Sequence, residues 1–227
     1  MVNRFASENI ARLFFLKFPC FESDCMENII LASASPRRQE ILKMMRIPFQ
    51  VMPSNVDESL FVSESPIELP KILAAAKVRA VLDTLPEGKE FQWVLGADTI
   101  VLLDEKIYGK PKDFSEAFEF LSTLQGRTHQ VVTGLALYNG RTRKIAEGLG
   151  IAKVSFAPMS DKEIEWYLNT DEWKGVAGGY RIQGLAACFI TKIEGAPSCV
   201  MGLPIFEFYD MLKKQGYSLI GCDLIAK

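Results

Sequence analysis

A carboxylate interrupts a strongly apolar stretch: WVLGADTIVLL, residues 93–103, reads as a strand buried on both faces, with Asp98 and Thr99 in its middle. Charge inside a sheet is costly unless it is paired or binds a metal. Asp98 is therefore either a metal-binding or general-base carboxylate at the mouth of a sheet, or a strand-end aspartate bonded to a turn. A second acidic pair, Asp57 and Glu58, falls in the polar loop SNVDESL. Such a loop is ordinarily solvated surface. Brought beside Asp98, it would supply the hard oxygen donors that suit Mg²⁺.

Four stretches offer cations or amides that could hold an anionic ligand. In LASASPRRQEIL, residues 31–42, Ser35 and Pro36 read as the cap and first position of a helix, with Arg37 and Arg38 in its first turn. The helix dipole already places about half a positive charge there. Two arginines at that point make sense if a polyanion is held by free backbone N–H groups and guanidinium forks; otherwise they point to solvent. No GxxxxGK[ST] occurs, so this is not a P-loop. Lys110, between Gly109 and Pro111, sits in a stiff turn suited to a phosphate or to plain solvation. Lys77 lies in line with Leu73 and Val81, where a snorkelling lysine is the commoner arrangement and a phosphate ligand the rarer. In AGGYRIQGLAA, glycines flank Tyr180, Arg181 and Gln183, and a glycine-rich turn admits a flat ligand close to the backbone. The Gln183 amide sets an acceptor beside a donor, which matches the N3–H and O4 edge of uracil or thymine; a structural turn glutamine is the plainer alternative.

These residues need elements to position them. NIILA reads as a buried strand, followed by the serine-rich loop and a helix to about Met45. PFQVM is a short second strand, and a helix follows from a Ser65 to Glu68 capping box through residue 85. After the Asp98 strand come a helix capped by Asp113, a hairpin signalled by Asn139-Gly140, and a helix with a Ser160 to Glu163 capping box. LAACFITKIEG reads as a strand and LPIFEFYDMLKKQG as the last helix. Interleaved strands and helices with a hairpin predict an α/β fold with a mixed sheet.

The bulk properties exclude several classes. The chain has 227 residues, 48% hydrophobic and 24% charged, with net charge −2. That charge argues against a general nucleic-acid or membrane-surface role. No apolar run reaches the length of a membrane span. The five cysteines include no CxxC pair and, with one histidine, form no zinc-like set; their odd number fits reduced thiols in the cytoplasm. His129 lies in the polar turn GRTHQ and reads as a solvated imidazole. Residues 1–25, including ARLFFLKFPCF, read as an N-terminal extension or a start codon set too early, and 26–227 as a single domain.

Taken in order, LASASPRR, GADTIV, GKPKD, VVTGLAL, YRIQG and IEGAPSCVMGLPI resemble the Maf (septum formation) family of nucleoside triphosphate pyrophosphatases, over nearly all the chain after Met26. The resemblance implies a long, curved mixed sheet flanked by helices, with two lobes and a central cleft, similar to inosine triphosphate pyrophosphatases. It implies hydrolysis of a nucleoside triphosphate to monophosphate and pyrophosphate, with a divalent cation, Mg²⁺ or in its place Mn²⁺, and a homodimer. Asp98 would be the proton acceptor and, with Glu58, the metal ligand. Ser33, Arg37, Lys77 and Lys110 would hold phosphate, while Arg38, Thr99 and Gln183 fit the substrate-discriminating positions of the dTTP/UTP branch. One departure stands out: Gly175 and Val176 replace the family's usual Asp-Lys pair, and DEWKG just before is the candidate substitute. The rival readings are a 7-methyl-GTP pyrophosphatase, a nucleotidyltransferase, and a non-catalytic nucleotide-binding regulator of septation.

Overall fold

Alternation along the first strands sets the layers. Strand β1 (Ile29–Leu31) turns Ile29 and Leu31 to one face of the sheet and Ile30 to the other, the period of two that extended backbone imposes. The computed structural model describes residues 26–61, 63, 65–85 and 93–219. The proposed N-terminal extension, Cys20, Cys25 and Cys222 lie outside them.

The elements follow as α1 (Pro36–Met44), β2 (Phe49–Val51), α2 (Leu69–Thr84), β3 (Trp93–Leu103), β4 (Lys106–Tyr108), α3 (Phe114–Leu124), β5 (Thr128–Asn139), β6 (Lys144–Phe156), α4 (Asp161–Leu168), β7 (Ile190–Glu194), α5 (Pro197–Met201) and α6 (Ile205–Lys214). They build a seven-stranded mixed sheet in the order β2-β1-β3-β5-β6-β7, with β4 also on β3. β2, β1 and β3 run parallel; the remaining pairings are antiparallel. The α/β reading therefore holds, including the long hairpin.

Three buried clusters fill this frame. On one face, α2 packs Ala74, Ala75 and Val78 against Ile30, Val94 and Ala136. On the other, Ile41 and Leu42 of α1 and Phe208 and Leu212 of α6 cover Leu31, Leu95 and Leu135. The third cluster, at the far end of the long strands, joins Val101, Val131 and Val154 to α3 and α4 through Leu121 and Ile164. On β3, Trp93, Val94, Leu95 and Ala97 belong to the first two clusters, and Val101 and Leu103 to the third. The Asp98 interruption marks where they part.

Helix α2 lies directly on backbone. A Cβ at Gly96 would fall 2.3 Å from the Ala74 carbonyl oxygen, and one at Gly134 would fall 2.2 Å from the Pro70 carbonyl carbon. Pro70 also overrides the capping box expected at Ser65. Residues Ser65 to Glu68 form a turn, closed by the Glu68 N–H on the Ser65 carbonyl at 3.0 Å, and the helix starts only at Leu69. A helix begun at Ser65 would drive the Pro70 ring into the carbonyl four residues back.

Other local expectations meet the structure with adjustments. Asp113 caps α3 by accepting the Glu116 N–H at 2.9 Å, and the Ser160–Glu163 capping box forms in both directions. The β5–β6 connection is four residues long, not a two-residue Asn-Gly turn, because the Asn139 side chain itself accepts the Arg141 and Thr142 N–H groups. In LAACFITKIEG the strand begins only at Ile190, after a 3₁₀ turn over Leu185–Phe189.

His129 corrects the reading of GRTHQ. It is 2% exposed, on the same face of β5 as Val131, with Nε2 2.7 Å from the Tyr180 hydroxyl and its ring edge-on to Phe156. The surrounding polar residues hide a strand start whose alternate side chains turn inward. Burial pushes the imidazole down to about 4.

Two predictions follow from this packing. Gly134→Ala should lower the unfolding free energy by about 3 kcal/mol, the upper end of overpacking effects, since backbone rather than a flexible side chain blocks the new methyl; urea denaturation measures it. For His129, the folded state holds the ring neutral, so the unfolded chain binds the extra proton below its ordinary value of 6.5. This stability is intact above that pH and is lost as pH falls toward 4. Wild type should lose about 3 kcal/mol more than His129→Phe between pH 7 and pH 4, read by denaturation at each pH.

Candidate active site

The pairing pattern leaves a notch in the sheet. Along one edge of β3, β1 pairs only with residues 93–95 and β4 only with 101–103. Asp98 and Thr99 lie in the gap between, and because they alternate they face opposite sides of the sheet. This is the crevice beyond the carboxyl ends of parallel strands where open α/β sheets bind ligands. A cleft of about 380 Å³ opens there, reached by Ser33, Arg37, Arg38, Glu58, Lys77, Asp98, Thr99 and Lys110. The fold thus gathers eight of the nine residues to which the family resemblance assigns a role, all but Gln183.

On the α2 side, Lys77 is 7% exposed and Asp98 6%, and they meet at 2.5 Å between Nζ and Oδ1. The same ammonium reaches Glu58 Oε1 at 2.8 Å. Lys77 is therefore not a snorkelling lysine; it bridges both carboxylates. Burial acts to raise the Glu58 carboxyl, but the Lys77 hydrogen bond and the charges of Lys77, Lys110 and Arg38 outweigh it and hold the group below its ordinary value. Asp98 Oδ2 and Glu58 Oε2 accept no hydrogen bond among the described residues.

On the other side, Arg38 turns inward. Its Nε donates to the Gly202 carbonyl at 2.8 Å, Nη1 to Ser33 Oγ at 2.8 Å and Nη2 to Thr99 Oγ1 at 3.2 Å. Burial lowers its pKa. Both arginines line the cleft, but Arg38 engages three of its five N–H donors within the protein, one from each nitrogen. Arg37 is itself lowered to about 10, by burial first and then by repulsion from Arg38 and Arg181, and stays charged at neutral pH. Ser35 makes no side-chain cap hydrogen bond to α1, whose N-terminus borders the cleft.

Thr133 belongs to the same seam, and the sequence reading overlooked it. Its hydroxyl donates to the Cys199 carbonyl at 2.8 Å and lies 2.9 Å from Thr99 Oγ1. Each hydroxyl has one proton, so the chain runs in one direction: Arg38 to Thr99, Thr99 to Thr133, Thr133 to Cys199. The available signal was a hydroxyl in the midst of VVTGLAL, the same kind of interruption as Asp98. Gln183 falls outside the main cleft. It borders an adjacent recess of about 200 Å³ with Glu40, Glu172 and Arg181, and Pro36 and Arg37 line both spaces. Where the Asp-Lys pair was expected, Gly175 and Val176 present an open glycine at φ +68° and a buried valine to the cleft wall.

Four cations, Arg37, Arg38, Lys77 and Lys110, thus surround two carboxylates in one cleft. The excess positive charge and the uncapped helix end fit a polyanion. Among the described residues no three His, Cys, Asp or Glu side chains gather as a metal group. Two carboxylates with free oxygens fit Mg²⁺, which keeps several waters and shares substrate phosphates, and do not fit a closed zinc site.

This arrangement defines a polyphosphate-binding α/β protein, and comparison with known proteins places it more closely. The model of the family described as Maf-like protein matches residues 28–215, and the chain belongs to that family. It is 42% identical over 203 residues to a dTTP/UTP pyrophosphatase of Treponema denticola, covering 86% of this chain and 100% of that one. It is 45% identical over 194 residues to one from Symbiobacterium thermophilum (86% and 97%) and 44% identical over 188 residues to one from Pyrococcus furiosus (83% and 95%). Among solved structures, the nucleoside-triphosphatase / dITP/XTP pyrophosphatase of Mycobacterium abscessus overlaps 58% of this chain and 74% of its own, with TM-score 0.36 and 14% identity. Among the described residues no helix is long and apolar enough to cross a membrane.

The hydroxyl chain can be tested without touching a charge. Thr133→Val keeps the shape but leaves the Thr99 hydroxyl without its acceptor and the Cys199 carbonyl with the Gly202 N–H alone, and should destabilise by about 1–3 kcal/mol. Thr133→Ser should retain most of that stability in the same denaturation experiment.

Proposed function

We propose that this chain hydrolyses dTTP and UTP between the α and β phosphates, releasing the nucleoside monophosphate and pyrophosphate. The observation that carries this reading is the buried Asp98, oriented by Lys77 inside a cation-lined cleft. It is supported by relatives that bear the dTTP/UTP pyrophosphatase name over nearly their whole length.

Asp98 acts as general base. Its engaged oxygen fixes the carboxylate on Lys77, and its other oxygen takes the proton of a water molecule. That water attacks the α phosphorus, the bond to the α–β bridging oxygen breaks, and pyrophosphate leaves. Arg37, Lys110 and the free N–H groups at the start of α1 hold the phosphates and offset the charge that gathers on their oxygens. Ser33 is fixed by Arg38 at the floor of the same loop. A divalent cation, Mg²⁺ or Mn²⁺, would be held by Asp98 and Glu58 and would polarise the phosphoryl oxygens. In the neighbouring recess, the Gln183 amide reads the N3–H and O4 edge of uracil or thymine.

Pyrophosphate release with Mg²⁺ across dTTP, UTP, CTP, GTP, ATP and 7-methyl-GTP tests the whole reading. Preference for dTTP and UTP is expected, and Asp98→Asn should lower kcat by about a thousandfold or more while the protein stays folded. Preference for 7-methyl-GTP would keep the catalytic cleft and discard the Gln183 argument. Nucleotide binding without release from any substrate would favour a regulator over an enzyme.

A further inference from the structure

The segment from Tyr180 to Leu185 carries Arg181 and Gln183 into the recess beside Arg37, and hydrogen bonds involving side chains hold it at three points. The Tyr180 hydroxyl bonds His129 Nε2 at 2.7 Å, and the Arg181 N–H donates to the Tyr167 hydroxyl at 3.2 Å. Both partners are buried in the core beneath, and both bonds lie before Gln183 in the chain. The third anchor lies after it: the Leu185 N–H donates to Glu172 Oε2 at 2.9 Å.

The contact with Glu172 is close. A Cβ at Gly184 would stand 2.1 Å from Glu172 Oε2 and 2.7 Å from its Cδ, so the carboxylate fills the space that a side chain at 184 would need. Glu172 is itself placed through its own N–H on Thr170 Oγ1, and Thr170 in turn donates to the Tyr167 carbonyl at 2.6 Å. One tyrosine thus supports the segment from its hydroxyl and Glu172 from its backbone. Without Glu172, side-chain hydrogen bonds among the described residues would tie this segment only before Gln183.

We propose that Glu172 is a positioning residue for Gln183: its carboxylate holds the Leu185 N–H and so presents the Gln183 amide to the base. The inference rests on the reading of Gln183 given above. It also assigns a role to the stretch DEWKG, in a chain whose Gly175 and Val176 offer no charged anchor for this turn. The hydrogen bond needs an acceptor and not a charge, so glutamine at 172 preserves it and alanine removes it.

The test uses the whole protein with Mg²⁺, and compares Glu172→Ala, Glu172→Gln and Gln183→Ala by kcat/KM on UTP and CTP and by hydrogen exchange at the Leu185 amide. In Glu172→Ala the exchange should quicken, and the preference for UTP over CTP should fall about tenfold, through KM more than kcat. Glu172→Gln should stay within about twofold of wild type in both readouts. Unchanged Leu185 exchange in Glu172→Ala overturns the inference, as do equal losses in the alanine and glutamine variants. It is also overturned if Gln183→Ala lowers the preference and Glu172→Ala does not. A preference indifferent to Gln183→Ala removes the base reading instead, and Leu185 exchange then decides whether Glu172 anchors the segment.

Discussion

The ion pair between Lys77 and Asp98 is the constraint around which the rest is arranged. Two buried opposite charges hold together only if each arrives at the right depth, and a helix resting on ordinary side chains would stand too far from the sheet. Glycines at 96 and 134 let α2 settle onto the backbone of β3 and β5. Val94, Gly96 and Asp98 share the face of β3 that meets this helix, so the carboxylate turns toward α2 by strand alternation alone. Glu58 then needs only to close over the ammonium from a loop, which suits an element with no regular structure beyond a single 3₁₀ turn.

The opposite side of β3 solves a different problem. Thr99 faces away from α2, toward α1 and the turn at Gly202, where φ is +103° and a side chain would press on Thr99. Arg38 ties that turn to the serine loop and to β3 at once. A guanidinium is suited to this because its donors form a rigid fork that joins three separate strands of chain. The serine loop, the helix start and the sheet thus have one geometry, set by a residue with little exposure of its own. The same residue still lines the cleft together with Arg37, Lys77 and Lys110.

Much of this was legible in the sequence where the signal was local. The hydroxyl and carboxylate in WVLGADTIVLL, the Asp113 and Ser160 caps, and the hairpin could be read because each depends on a few consecutive residues. The inward turn of Arg38 could not, since two of its three partners are 61 and 164 positions away. For Lys77 the local pattern left snorkelling and ligand roles open for the same reason: it describes the helix, while its partners come from a strand and a loop. Ser65 misled because the penalty at Pro70 acts four residues back and competes with the cap. His129 misled because polar neighbours say nothing about which side chain of a strand points inward. Gln183 lay in a motif whose glycines were visible, but its distance from the main cleft depends on how the following 3₁₀ turn is anchored.

Strands β3, β5 and β6 run unbroken for 11, 12 and 13 residues beneath both ends of the core. The two sides of the cleft are therefore built on the same strands and not on separate bodies joined by a hinge. Rotating one against the other would mean shearing ladder hydrogen bonds along the full length of β3 and β5. Adjustment to a ligand falls instead to what lies above the strands: the Glu58 loop, the Lys110 turn and the segment after Tyr180. The Lys110 turn is already joined to the glycine turn that leads into that segment, for the Gly178 N–H bonds the Gly109 carbonyl at 2.9 Å. The two ends of the proposed nucleotide site are thus linked through a single backbone hydrogen bond, without any side chain between them.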